Sequence, residues 1–385
     1  MSKHSHLRLQ LVVFTLVAAS FTNIYLTQPV LPVLQAEFSA TTLQVSFTVA
    51  AVILGIALAN LPFGVLVDRL PIQPIILTGG IAVALGGLIC AVTDDLWILI
   101  GARFLQGLFI PALTTCIAAY LAKTLPIERL NVVMGAYVSA TVVGGLGGRL
   151  LGGWIHPPLH WRYAFVSAAV LILVATFLAL KQLPSQPKIE TQSREQPRFL
   201  SLLGRWELVR IYLAAAGGFF IFSSVFNYLP FRLAAAPFSF STELITLLYL
   251  VYVMGIFMGP LSGRISNRIG SGNTLIGGTL LLGSSVALTL LPSITAIILG
   301  LLGLCAGFFA VHAAAVGSLN RRLTGGQGRA NALYVLFYYV GGWIGITGSG
   351  FAYTQWGWQG VILICLLLLI LPFMAGLGER RDVRR

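Results

Sequence analysis

The chain has 385 residues, of which 57% are hydrophobic and only 9% are charged, and its formal net charge is +13. Soluble domains carry about 25% charged residues, so this composition excludes an ordinary water-soluble protein and predicts a chain embedded in lipid. In lipid every backbone N–H and C=O must be bonded within the protein, which leaves helices or closed barrels. The apolar runs are continuous rather than alternating, and each spans the roughly 20 residues that a membrane helix needs.

Twelve such runs divide into six before and six after one charged stretch. We predict the first six spans at 9–31, 42–66, 74–93, 95–121, 130–155 and 161–181. The second six are predicted at 209–234, 242–263, 273–291, 294–318, 330–353 and 358–377. The sequence thus predicts an all-α membrane protein with an N-terminal bundle (1–182), a cytoplasmic linker (183–208) and a C-terminal bundle (209–385). The first run continues to Leu34, too long for the apolar part of a signal peptide, so we expect it to be retained.

The positive charge is concentrated at alternate ends of the predicted spans. All 24 Lys and Arg lie in the tails, the linker or alternate loops except Arg103, Arg149, Arg162 and Arg232. This asymmetry follows the positive-inside rule, so we expect an inner (plasma) membrane protein with both termini in the cytoplasm. The same asymmetry explains the net positive charge, so we expect no nucleic-acid partner. We expect a monomer whose partners are the lipid bilayer and a small-molecule substrate.

The four cysteines lie inside predicted spans without the spacing of metal ligands. They are Cys90, Cys116, Cys305 and Cys365. We therefore expect buried thiols, and neither a disulfide framework nor a metal site.

The two predicted bundles resemble each other at a shift close to 200 residues. Gly64 to Arg69 after span 2 corresponds to Gly259 to Arg264 after span 8. Further matches are Arg129 and Asn131 with Arg329 and Asn331, Gly107 with Gly307, and Trp161 with Trp358. Two parallel copies with a substrate site between them are the architecture of rocking transporters.

The loop after span 2 and the start of span 4 resemble signatures of the major facilitator superfamily. Gly64 is followed four and five residues later by Asp68 and Arg69, as in the superfamily's loop 2–3 motif, although Pro-Ile-Gln at 71–73 replaces the usual Gly-Arg-Lys. Arg-Phe-Leu-Gln-Gly at 103–107 resembles the helix 4 signature. The resemblance covers essentially the whole chain and implies a fold of twelve helices in two pseudo-symmetric bundles.

Helix 5 adds a resemblance to antiporters. Its glycine run at 144–153 is similar to the antiporter signature, with Arg149 where proline usually stands. Together with the segments 307–312 and 331–339, it resembles the acriflavine-sensitivity branch of drug exporters. The resemblance also implies that Asp68 closes the cytoplasmic side by bonding to the entry of helix 11, where Arg329 is the expected partner.

The sequence indicates which energy source the protein uses. It has no Gly-x4-Gly-Lys-Ser/Thr phosphate loop, so we expect no nucleotide hydrolysis, no enzymatic role and no cofactor, and an ion or solute gradient must supply the energy. All eleven acidic residues lie at predicted helix ends, in loops or in tails. Related drug–proton antiporters often carry a carboxylate on helix 1, where this chain offers Asn23, Tyr25 and Gln28. His312, deep in helix 10, is then the candidate proton carrier, and a hydrogen-bonding structural histidine is the alternative.

Arg103 is predicted deep in helix 4, with Gln106 on the same face. A charge at that depth is costly, so we expect it to face the bundle interior and to bond the side-chain amide of Asn23 or Gln28. It is either a structural tie between helices or a ligand for the substrate. Amide and phenol side chains in the second half indicate the remaining wall of an amphipathic cavity; the predicted residues are Asn227, Tyr228, Tyr334 and Tyr338.

Small residues on helix 5 predict a gate. Gly144, Gly148 and Gly152 recur every fourth residue and form a face for close helix packing, which we expect to meet helix 8. Arg149 lies beside this face, and we expect it to pair with Glu243 at the start of helix 8. The predicted cytoplasmic gating residues are Gly64, Asp68, Arg69, Arg264 and Arg329.

The sequence therefore predicts a proton-coupled secondary transporter that exports a small organic or amphipathic compound by alternating access. Uptake of a metabolite or organic anion, with Arg103 and Arg149 as carboxylate ligands, is an alternative on the same fold. A non-transporting membrane sensor or scaffold is an alternative of another class, and it would require a large soluble domain that no predicted loop can hold.

Overall fold

A computed structural model describes residues 3–125, 127–183, 199–323 and 327–383, and these residues form helices joined by short turns, without any strand. The first half contains α1 (Lys3–Tyr25), α2 (Leu31–Glu37), α3 (Thr42–Leu66), α4 (Ile72–Val92), α5 (Leu96–Leu113), α6 (Thr115–Thr124), α7 (Ile127–Ile155) and α8 (Arg162–Gln182). The second half contains α9 (Phe199–Leu203), α10 (Trp206–Ala234), α11 (Thr242–Leu248), a 3₁₀ turn (Tyr249–Val253), α12 (Met254–Ile269), α13 (Ser271–Leu288), α14 (Ile294–Arg321), α15 (Gln327–Leu368) and α16 (Ile370–Val383).

Twelve crossings can be assigned to these helices. Nine segments of the described residues are long and apolar enough to span a membrane. The last of them, Gln327–Asp382, holds two crossings, because the backbone of Gly357 leaves the helical region (φ 58°, ψ −146°) inside α15. The two helices α7 and α13 complete the set. The predicted fold of twelve membrane helices is therefore confirmed.

The described chain forms two compact units, each of which includes one short segment from the other half of the sequence. Unit 1 comprises Met1–Ala40, Phe47–Gln192 and Ser241–Tyr249, and unit 2 comprises Thr41–Ser46, Ser193–Phe240 and Leu250–Arg385. The units thus differ from the contiguous predicted bundles at the first turns of α3 and at α11. Within unit 2, the amide of Asn227 donates to the hydroxyl of Ser46 at 2.9 Å. Most of the predicted linker, 184–198, lies outside the described residues.

Helices α1 and α7 of unit 1 approach each other so closely that three positions on α7 leave no room for a side chain. A Cβ atom added to any of the three glycines would collide with the backbone of α1 or of the residue that follows it. The contacts are Gly144 with Ala18, Gly148 with Thr22, and Gly152 with Leu26. The prediction that this face meets helix 8 is wrong. Four-residue spacing shows which residues share a face, but not which neighbour that face packs against.

Unit 2 repeats this packing between α10 and α15. Gly341 lies against the backbone of Ala216, and Gly345 lies against that of Phe220. Relative to unit 1, the α10 positions are shifted by 198 residues (18 to 216, 22 to 220) and the α15 positions by 197 (144 to 341, 148 to 345). At the third position a hydrogen bond between the hydroxyls of Ser349 and Ser224, 2.9 Å long, replaces the contact of Gly152 with Leu26. The internal repeat therefore extends to backbone packing.

One pair of matched residues in the predicted repeat packs differently in the two units. Gly107 lies against the backbone of Val52 on α3, whereas Gly307 lies against Gly278 and Leu282 on α13. The side chains of Arg129 and Asn131, another predicted match, lie outside the described residues.

Substitution of Gly148 by alanine should destabilise the protein. The added methyl group would overlap the carbonyl of Thr22, and overpacking of this kind costs roughly 1–3 kcal/mol. Gly135 on the same helix is a matched control, because a Cβ there meets nothing within 4 Å. Thermal melting of the detergent-solubilised variants should give a lower melting temperature for Gly148→Ala and an unchanged or higher one for Gly135→Ala. Equal melting temperatures would contradict the packing described.

Candidate functional site

Arg103 of α5 is fully buried in unit 1 and bonds to two other helices, α1 and α3. Its Nε donates to the carbonyl of Thr48 at 3.0 Å, Nη1 donates to the carbonyl of Asn23 and to Oε1 of Gln106, each at 2.6 Å, and Nη2 donates to the carbonyl of Ile24 at 2.5 Å. Four bonds thus occupy most of the five N–H donors of the guanidinium.

Two of these bonds satisfy backbone carbonyls at the end of α1. The helix ends at Tyr25, so the carbonyls of Asn23 and Ile24 belong to its last turn, where the helix itself supplies no N–H partner. A basic side chain that donates to the last carbonyls also interacts favourably with the helix dipole. Arg103 therefore closes the end of α1 within the membrane.

The predicted contact of helix 4 with helix 1 is present, but its atoms differ from the prediction. Arg103 bonds to the main chain of Asn23, not to its amide oxygen, and Gln28 bonds elsewhere. Gln106 secures the arrangement, because its Nε2 donates to the carbonyl of Val83 at 2.9 Å while its Oε1 accepts from Arg103. With its donors held by protein oxygens, Arg103 is placed as a structural tie between helices.

Arg149 of α7 is buried against the residues that follow α1. Its Nε donates to Oε1 of Gln28 at 2.7 Å, and its Nη1 donates to the carbonyl of Gly145 at 2.7 Å. The guanidinium lies 3.9 Å from the ring centre of Tyr25 and 5.3 Å from that of Tyr249. Cations over aromatic faces gain about 0.5–2 kcal/mol, more where water is excluded. Three predicted residues, Tyr25, Gln28 and Arg149, therefore form one cluster.

The segment Ser241–Tyr249 packs on the face of α7 that carries Arg149. A Cβ on Gly153 would collide with the side chain of Thr246 on α11. The face that meets helix 8 is therefore Gly145–Arg149–Gly153 rather than the predicted stripe beside it. The guanidinium lies beside the rings of Tyr25 and Tyr249, and its pairing with Glu243 when the outside is closed stays a prediction.

Unit 2 contains an aromatic cluster around His312, made of rings from α10, α14 and α15. Its members are His312, Tyr334, Tyr338, Phe219, Phe222 and Phe308. Phe219 stacks on Tyr338 with 3.9 Å between ring centres, and Phe222 stacks on Phe308 at 4.1 Å. Nδ1 of His312 lies 2.9 Å from the hydroxyl of Tyr334. His312 and Tyr338 are partly exposed, whereas the other four members are buried, so the cluster exposes one imidazole and one phenol at the edge of packed rings.

The two predicted cavity residues on α10 are more deeply buried than His312 and Tyr338. Asn227 and Tyr228 have no exposed surface. The Tyr228 hydroxyl donates to the carbonyl of Ile346 at 2.7 Å, and its ring stacks on Tyr353 at 5.3 Å between centres. In this structure both residues hold helices of unit 2 together.

The predicted cytoplasmic gating residues belong to both units. In unit 1, Asp68 forms an ion pair with Lys123 near the end of α6, and its bond to Arg329 stays a prediction. Arg329 lies 5.3 Å from the ring centre of Phe199 in unit 2. Of the other predicted members, Gly64 has open space around it, since an added Cβ would meet nothing within 4 Å. Arg69 and Arg264 are exposed.

Two charged networks at helix ends were not predicted. In unit 1, Arg162 bonds to Glu37 and Asp94, each at 2.7 Å, and thereby joins the segments before α3, α5 and α8. In unit 2, a network joins α10, the end of α14 and α16; its members are Arg210, Arg322, Glu379 and Asp382. A signal was available in the sequence, because in each network the acidic and basic residues lie on the same predicted side of the membrane.

Comparison with known proteins assigns this architecture to a family. The sequence model of the Major Facilitator Superfamily matches residues 13–319. The chain belongs to this superfamily. The predicted superfamily is therefore confirmed, and the protein is a multi-pass membrane transporter of this type.

Relatives of similar length have similar sequences over almost the whole chain. The inner membrane transport protein YnfM of Escherichia coli (strain K12) is 28% identical over 374 residues, which cover 96% of this chain and 90% of the relative. An uncharacterized transporter of Buchnera aphidicola subsp. Schizaphis graminum is 27% identical over 367 residues, covering 94% and 89%. The Bacillus subtilis MFS-type transporter YybF is 25% identical over 376 residues, covering 95% and 92%.

A solved structure has the same fold. The bacterial homolog of the human lysosomal transporter Spinster, crystallised in an inward-facing and unoccupied conformation, superimposes with a TM-score of 0.79 over 99% of each chain at 16% sequence identity. At this identity the likeness concerns the fold alone.

Replacement of Arg103 by lysine should destabilise the protein although it keeps the charge. A single ammonium cannot reach carbonyls of both α1 and α3, and each buried carbonyl left unbonded costs roughly 1–3 kcal/mol. Arg69→Lys is the matched control, because Arg69 is exposed. Thermal melting in detergent should show a clear decrease for Arg103→Lys only. A melting temperature equal to that of the control would contradict the structural role of Arg103.

Proposed function

We propose that this transporter exports small amphipathic organic compounds from the cytoplasm across the inner membrane in exchange for protons, by alternating access and with both termini in the cytoplasm. The observation that carries the proposal is the aromatic cluster around His312. It places the partly exposed imidazole of His312 and phenol of Tyr338 against buried, stacked aromatic rings of unit 2.

The composition of the cluster indicates the class of substrate. Flat ring faces bind apolar and aromatic groups through area burial and offset stacking. The imidazole and the phenols supply a few directional hydrogen bonds, which is the usual make-up of a small-molecule site. None of the eleven acidic residues belongs to the cluster, which favours neutral or weakly polar compounds over permanently cationic ones.

His312 provides the means of proton coupling in this proposal. Imidazole changes its charge between about pH 5 and 8, unlike the phenols around it. A proton on His312 and a substrate on the adjoining rings would use the same surface, so that binding of one opposes binding of the other. Mutual exclusion at one site that faces each side in turn yields antiport.

Gating involves the Gly145–Arg149–Gly153 face of α7. The segment Ser241–Tyr249 belongs to the second half of the sequence but packs on this face within unit 1. Alternating access requires such packing to break and re-form. The small residues Gly145 and Gly153 and a cation beside ring faces suit a contact that must separate.

Uptake of an organic anion is the alternative that uses the two buried arginines as carboxylate ligands. It is weakened because Arg103 already donates four hydrogen bonds to protein oxygens. Arg149 likewise donates hydrogen bonds to protein oxygens, those of Gln28 and Gly145.

A screen of compounds in a host depleted of its own exporters tests the proposal. Expression of the protein should lower the accumulation of amphipathic aromatic compounds, and a protonophore should restore it. Accumulation of a solute inside cells on expression, or export that a protonophore leaves unchanged, would contradict the proposal.

Substitution of Gly153 by alanine should slow transport without loss of folded protein. The methyl group would obstruct the side chain of Thr246 and hinder the packing of α11 on α7. Gly147→Ala on the same helix is the matched control, since a Cβ there meets only the hydroxyl of Thr22 at 3.6 Å. The initial rate of export per amount of membrane-inserted protein is the measurement. Equal rates for the two variants would contradict the assigned gating face.

The variant His312→Gln should lose export driven by a pH gradient while still exchanging substrate down its own gradient. Glutamine keeps hydrogen-bonding capacity but cannot carry a proton. Tyr334→Phe, which removes only the hydrogen bond to Nδ1, should retain pH-driven export with a shifted pH profile. Both reactions can be measured with a compound from the screen in everted membrane vesicles. Full pH-driven export by His312→Gln would exclude His312 as the proton carrier.

A further inference from the structure

Unit 2 contains a groove between the start of α10 and α16, apart from the aromatic cluster. Its volume is about 480 Å³, within the range of small-molecule sites. The groove lies at the ends of these helices that carry the basic residues of the linker and the C-terminal tail. By the charge asymmetry of the chain, this is the cytoplasmic side of the membrane.

One end of the groove is apolar and open to the side. Leu213, Ile370, Leu371 and Met374 line it. Ile370 and Met374 are 55% and 54% exposed, although they lie on a membrane-spanning segment. In a bilayer such surface is covered by acyl chains, so the apolar end is continuous with the region that lipid tails occupy.

The other end of the groove is charged. Arg210, Arg381 and Asp382 line it. Asp382 already pairs with Arg210 and with Arg322. Arg381 is exposed and forms no ion pair with any described residue, and Nε of Arg210 is buried without a hydrogen-bond partner among the described residues. The charged end therefore offers donors and positive charge to an anion.

A tryptophan marks the level of the lipid headgroups between these two ends. Trp206 lines the groove and is 66% exposed at the first position of α10. Exposed tryptophan at a helix end is typical of the membrane–water interface. The apolar end of the groove thus faces the lipid tails, and the charged end faces the headgroups.

We infer that this groove binds an anionic phospholipid of the cytoplasmic leaflet. The phosphate interacts with the exposed guanidinium of Arg381, beside the charge of Arg210, and one acyl chain lies along Leu213 and Met374. Basic pockets between membrane helices on the cytoplasmic side are suited to such headgroups. The bound lipid would bridge α10 and α16 and stabilise their contact. This inference depends on neither the direction of transport nor the substrate.

Native mass spectrometry and thermal melting of the delipidated protein in detergent test the inference. The probes are phosphatidylglycerol and phosphatidylcholine with identical acyl chains, and inorganic phosphate. Wild-type protein should retain phosphatidylglycerol and melt at a higher temperature with it than with phosphatidylcholine. Arg381→Gln should weaken phosphatidylglycerol binding about fivefold, since one basic residue at a membrane surface contributes about that factor.

Arg380→Gln is the matched control, because it removes the same charge from the adjacent position outside the groove. It should bind phosphatidylglycerol like the wild type. Met374→Trp, which fills the apolar end, should reduce retention of phosphatidylglycerol without changing the charge. Equal losses in Arg380→Gln and Arg381→Gln would overturn the inference in favour of diffuse attraction. Stabilisation by inorganic phosphate alone, or equal binding of both lipids, would also overturn it.

Discussion

A helix that ends inside a bilayer has no water to bond its last carbonyls, and in this protein Arg103 supplies the missing donors for α1. Because the end of α1 is fixed at Tyr25, the residues that follow reach Arg149 on α7. Two buried guanidinium groups, one from α5 and one from α7, thus hold the same stretch of chain. Arg149 also lies beside Tyr249, so the segment that contains α11 meets α7 next to this stretch.

The two units share their helix packing but differ in the chemistry of their interiors. In both, glycines allow two helix backbones to approach closely, at positions shifted by nearly the same number of residues. Unit 1 buries two arginines, whereas unit 2 buries stacked aromatic rings around His312. Repetition of the backbone contacts therefore preserves the fold, while the side chains inside the two units have diverged.

The fold was predictable because the bilayer constrains every span in the same way, through its length and through the charge of its flanking loops. The repeated motifs then relate the two halves of the chain. The partners of individual side chains were not predictable. The apolar pattern predicts that span 1 continues to residue 31, whereas the helix ends at Tyr25. The sequence therefore does not reveal the unpaired carbonyls of the last turn, and it suggests side-chain amides as the partners of Arg103 instead. Gly144 was assigned to the wrong neighbour for a related reason, since periodicity does not reveal which helix lies opposite. The grouping of His312 with Tyr334 and Tyr338 was partly predictable from the shared polar and aromatic character of α14 and α15.

A structure determined with an exported compound bound would decide whether side chains of unit 2 recognise the substrate. We expect the compound to contact the aromatic cluster at Tyr338, with a polar atom within hydrogen-bond distance of His312. A compound held instead by Arg149 and Tyr25, with no contact to the aromatic cluster, would contradict it.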